Sequence, residues 1–147
     1  MMSGQKSIRS TGRGLRILMA LLLITAAPLS IGPAHAGSAA EVGQTGLNAC
    51  SANAGKPLYD CVANVLDKMS NSLDERAPPE ARSALQSAAS QLRAASNKAR
   101  ALAAISQCRS VFAGIIQRWK AEGKTTTGFS AIAGVLSKAI QLIQSKG

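Results

Sequence analysis

Asp60, Asp67 and Asp74 recur every seven residues, and cysteines stand at positions 50, 61 and 108. Paired carboxylates are the raw material of general acid–base and glycosidic chemistry. These three lie opposite the apolar stripe of the segment that carries them, so they form a solvated acidic face rather than a catalytic pair. The single histidine, His35, falls in the N-terminal region, and no imidazole follows it. The chain beyond that point therefore lacks nucleophile–imidazole machinery and the commonest transition-metal ligand. No C-x-x-C pair offers redox, haem or zinc chemistry, and no glycine-rich loop offers a phosphate cradle. The expectation is a protein that is not an enzyme and holds no cofactor and no metal.

A basic constellation is more pronounced. Between Glu80 and Glu122 there are seven Lys or Arg and no acid. Drawn as a helix, Arg82, Arg93, Arg100 and Arg118 fall near one azimuth, a row suited to gripping carboxylates or phosphates bidentately. The same placement lets arginine stems border an apolar edge without any partner. Trp119, flanked by Arg118 and Lys120, lies on an apolar azimuth and reads as core rather than as a base-stacking platform, so nucleic acid is not an expected partner.

What must position these residues begins with export. Lys6, Arg9, Arg13 and Arg16 precede an apolar run from Ile17 to Ile31, and Ala34-His35-Ala36 follows. This is the three-part pattern of a secretory signal peptide cleaved after Ala36. The run is interrupted by Pro28 and is shorter than the ~20 residues of a bilayer span, so no transmembrane anchor is expected after cleavage. Residues 1–36 are thus the signal peptide, and the destination is the periplasm or the exterior. The remaining 111 residues carry thirteen basic against seven acidic side chains, a net charge of +6. That excess points to an acidic protein or an anionic envelope component as partner.

Periodicity then predicts helices throughout. Leu58, Val62, Val65, Leu66, Met69 and Leu73 mark one face of a helix that opens near Pro57 and stops at Arg76-Ala77-Pro78-Pro79. Upstream, residues 37–57 hold four glycines and little periodicity. They read as a flexible N-terminal arm with at most a short helix around Leu47 to Ser51, leaving 58–147 as the helical domain. One helix over Glu80 to Glu122 would be ~64 Å long, against a radius of gyration of ~13 Å for a domain of this size. The apolar face changes sides near residues 103–106, which predicts a kink or a change of packing partner between Ala103 and Gln107. After a polar loop over 123–128, Phe129, Ile132, Leu136, Ile140 and Ile143 define a last amphipathic helix. The fold class is all-α: a small antiparallel bundle of three to four helices after a cleaved signal peptide.

An oxidising destination makes the cysteines candidates for one bridge with a thiol left over. A hairpin about residues 77–79 sets Cys61 opposite the neighbourhood of Ala94, roughly 20 Å along the helix from Cys108. The arm carrying Cys50 passes the open end of the first helix, so Cys50–Cys108 is the favoured pair, ahead of Cys50–Cys61 and Cys61–Cys108. The functional expectation is an exported helical protein that acts by binding, as an adaptor, chaperone-like or inhibitor module whose basic helix meets an acidic partner. The alternative is an envelope-active protein that binds anionic lipid through the amphipathic C-terminal helix and the arginine rows.

Overall fold

The computed structural model describes residues 37–147, and within them the chain is helical with no strand. In order the helices are α1 (Gly37–Cys50), α2 (Gly55–Asn71), α3 (Pro79–Ala94), α4 (Lys98–Ala121) and α5 (Thr127–Lys146). The signal peptide expected over residues 1–36 lies outside the described residues. Consecutive helices pack side by side, α5 closes back onto α1, and α2 touches α5 across the ring. Short connections make sequence neighbours antiparallel. As the first and fifth members of the ring, α1 and α5 therefore run parallel. Lys138 of α5 donates to the Asn48 side chain (2.6 Å), and Lys146 donates to the Ser51 carbonyl, near the C-terminal ends of both helices.

The core is built from the stripes that periodicity identifies. Leu58, Leu66 and Met69 of α2, Leu85 and Leu92 of α3, Ile105, Phe112 and Ile115 of α4, and Ile132, Leu136 and Ile143 of α5 are all sealed from solvent. Ile140 departs from its expected place: it is only half-buried and packs on the edge of the core. The apolar face of α5 is committed to the bundle, with Phe129, Ile132, Leu136 and Ile143 all buried. No helix among the described residues is long and apolar enough to cross a membrane.

The expected flexible arm is instead α1, a helix of 14 residues. Its buried stripe is Ala39, Gly43, Leu47 and Cys50, which keeps helical spacing with small residues where bulky ones are usually sought. The glycines that suggested an arm are packing devices. A Cβ on Gly43 would lie 2.6 Å from Met69 Sδ and 2.7 Å from Val135 Cγ1, and one on Gly46 would lie 2.6 Å from Val65 Cγ2. Glycine lets the α1 backbone approach α2 and α5 more closely than any other residue would.

The long basic segment breaks earlier than the apolar pattern suggested. α3 ends at Ala94, Ala95 is extended (ψ 123°), and Asn97 opens α4 as its N-cap, its side chain accepting from the Arg100 N–H at 2.9 Å. The change of apolar face follows from that break, because α4 starts a new helical phase and folds back along α3. Residues 103–107 lie inside an uninterrupted α4, whose stripe Ala101, Ala104, Ile105, Cys108, Phe112 and Ile115 is continuous. Among the described residues the bundle therefore has five helices, not three or four.

Cys50 bonds to Cys61, with Cα atoms 5.7 Å apart, and not to Cys108. Cys50 ends α1 and Cys61 lies in the second turn of α2, so the two are opposite one another across the turn that contains Gly55 (φ +61°). Once 37–50 is a helix, this hairpin brings its own cysteines together. Cys108 remains a thiol, buried in α4.

Candidate functional site

Alternation of direction in the ring gathers the start of α1, the α2–α3 connection and the α4–α5 connection at one end of the bundle. A cavity of about 460 Å³ opens there. Leu73 and Ala77 come from the α2–α3 connection, Trp119 from the last turns of α4, Phe129 and Ala131 from the start of α5, and Gly37 from the start of α1. These walls are apolar. Polar groups are few: Asp74, Arg76, Thr125 and Thr127. A concave, mostly apolar space of a few hundred Å³ with a few convergent polar groups is the usual form of a small-molecule site.

Local structure holds these walls in place. Gly123 adopts φ +70°, donates to the Lys120 carbonyl (3.1 Å), and lets Lys124 N–H return to the Trp119 carbonyl (2.8 Å). This doubly bonded glycine termination closes α4 one turn after Trp119. Trp119 stands edge-on to Phe129, with ring centroids 4.7 Å apart, and Phe129 in turn meets Phe112 at 6.1 Å. Lys124 lies 5.3 Å from the indole centroid while pairing with Glu122 at 2.5 Å. In the α2–α3 connection, Asp74 accepts the Arg76 backbone N–H at 2.7 Å, which fixes the turn before Pro78 and Pro79. Trp119 is thus half-buried core on one side and cavity wall on the other.

The arginine row does not survive folding as a row, because the break at 95–97 divides it between two helices. Arg82 donates to the Leu73 carbonyl (3.1 Å) and closes the end of α2. Arg93 bonds Asn64 (2.8 Å) and Asp67 (2.5 Å) on α2. Arg118 pairs with Glu80, and that guanidinium, together with Glu80's own backbone N–H, holds the carboxyl below its ordinary range. Among the four, Arg100 alone keeps a side chain with no hydrogen-bond or ion-pair partner among the described residues. The aspartates are similarly engaged: Asp60 with Lys56, Asp67 with Arg93, and Asp74 with the Arg76 N–H.

A second hollow of about 370 Å³ runs between α3 and α4, walled by Ser83, Ser87, Gln91 and Gln107, with Cys108 at its floor. Burial pushes the Cys108 thiol up to about 12, so it carries no thiolate at neutral pH and is a poor nucleophile. No group of three or more His, Cys, Asp or Glu side chains among the described residues is arranged to hold a metal.

The cavity residues are dispersed in the sequence: Trp119 reads as core, residues 76–79 as a helix stop and 123–128 as a polar loop. The available signal was topological: in an up-and-down bundle every second connection lies at the same end. No protein-family model matches the chain, and neither a curated protein nor a solved structure matches it.

Proposed function

We propose that this chain is an exported binding protein that holds a small apolar molecule in the cavity walled by Trp119 and Phe129. The cavity is the observation that carries the reading: its volume suits a small-molecule site, and its aromatic and aliphatic walls supply the burial that drives apolar association. Export is supported by the signal pattern of residues 1–36 and by the Cys50–Cys61 disulfide, which belongs in an oxidising compartment. The periplasm or the exterior is the corresponding location.

An acidic partner for the basic helix is less well supported, since Arg82, Arg93 and Arg118 are spent on contacts within the bundle. Lipid binding through α5 would require its buried face to leave the core.

Trp119 is the only tryptophan, so it reports on its own cavity. Titration with the neutral apolar dye N-phenylnaphthylamine should quench indole emission saturably. Ala131→Trp, which places a large side chain at an exposed wall position, should abolish the dye's fluorescence gain without lowering the unfolding temperature. Dye binding unaffected by that substitution would refute the site.

A further inference from the structure

We propose that the ligand of this cavity is a single-chain amphiphile with a carboxylate head, its apolar tail against Trp119 and Phe129 and its head at Arg76. This rests on the reading of the cavity as a ligand site and names the chemistry it selects.

Charge complementarity carries the choice. Arg76 lines the cavity, and its guanidinium enters none of the ion pairs of the described residues. Asp74, the one carboxylate of the lining, accepts the Arg76 backbone N–H, and Lys124 at the adjoining loop is occupied by Glu122. A planar guanidinium matches a carboxylate geometrically.

The start of α5 favours negative charge as well. Thr127 and Gly128 are both cavity wall and first turn of α5. That turn has no side-chain cap and no acidic residue, so its first N–H groups lack the acceptors that helix starts usually carry. The positive end of the helix dipole adds to Arg76 rather than opposing it. A head group held between Arg76 and the α5 start leaves the tail to fill the apolar interior. A net charge of +6 over residues 37–147 raises the local concentration of anions around the mouth.

The test compares three probes of equal tail length by displacement of N-phenylnaphthylamine at low ionic strength: dodecanoate, dodecanol and dodecyltrimethylammonium. Dodecanoate should bind about three- to tenfold more tightly than dodecanol, the range expected for a charge-assisted contact at a solvent-accessible rim. The cation should bind most weakly. Arg76→Gln should bring dodecanoate down to the level of dodecanol while leaving dodecanol unchanged. Arg100→Gln, which removes the same charge far from the cavity, should change neither. Equal affinities for dodecanoate and dodecanol, or loss of the preference in Arg100→Gln as readily as in Arg76→Gln, would overturn the assignment of the head group while dye binding left the cavity standing. Failure of the dye itself to bind would overturn both.

Discussion

Gly43→Ala should destabilise the protein, although in an ordinary exposed helix the same change is favourable. Replacing glycine by alanine in a helix interior gains about 0.5–1 kcal/mol from backbone entropy and propensity. At Gly43 the new methyl would stand 2.6 Å from Met69 Sδ and 2.7 Å from Val135 Cγ1, well inside van der Waals contact. Met69 is flexible and can turn aside. Val135 cannot, because a β-branched side chain in a helix has one strongly preferred rotamer, so α5 itself must shift. Overpacking of that kind costs about 1–3 kcal/mol, about 2 kcal/mol in the middle of that range, which outweighs the propensity gain of about 0.5–1 kcal/mol and leaves a net loss of about 1 kcal/mol and at most about 2.5 kcal/mol. Gly134 supplies the control, since a Cβ there meets nothing within 4 Å. Gly134→Ala should gain about 0.5–1 kcal/mol. Urea unfolding followed by circular dichroism measures both. A Gly43→Ala protein as stable as the parent would mean that α1 does not pack on α2 and α5 at this distance.

Three further outcomes test other parts of the bundle. Peptide mapping without reductant should find Cys50 linked to Cys61, and the double serine variant should lose about 3 kcal/mol for so short a loop; a fragment linking Cys108 to either would contradict the hairpin. Folded Cys108 keeps its proton up to about 12 while the unfolded chain releases it near 9.0, so the unfolded state binds fewer protons in that window and stability should fall as pH rises through it. Urea unfolding at pH about 8 and about 10.5 should show a steeper fall for the parent than for Cys108→Ala, and equal falls would refute the burial argument. Ile143→Ala should cost about 2–4 kcal/mol as a truncation of a sealed core residue, and Ile140→Ala about half of that, because Ile140 is only half-buried; equal losses by thermal unfolding would contradict the packing.

The α2 and α5 stripes were legible because large aliphatic residues recur at helical spacing, and burial of Leu66, Met69, Leu136 and Ile143 follows directly. α1 was not legible, because its stripe is built from alanine and glycine, which carry little hydrophobic contrast and signal flexibility unless the partner helix is known. The α3–α4 break was half-legible: the change of apolar face was visible, but its position depends on Asn97, a cap with no proline or glycine beside it. The cysteine pairing failed through the same omission, since the Cys50–Cys61 register exists only if residues 37–50 are helical. A shared azimuth for Arg82, Arg93, Arg100 and Arg118 holds only on one continuous helix, and two helices carry them. The cavity could not be read from any local pattern, because its walls meet only through the alternation of five helices.

The end of the bundle around Trp119 and Phe129 is proposed to receive an apolar ligand. Amide and methyl chemical-shift mapping of the isotopically labelled 37–147 chain during titration with N-phenylnaphthylamine tests it most directly. The largest shifts should fall on Leu73, Ala77, Thr125, Thr127, Gly128 and Ala131, saturating together with the quenching of Trp119. Shifts centred instead on Ser87, Gln91 and Gln107 in the α3–α4 hollow, or none that saturate, would contradict it.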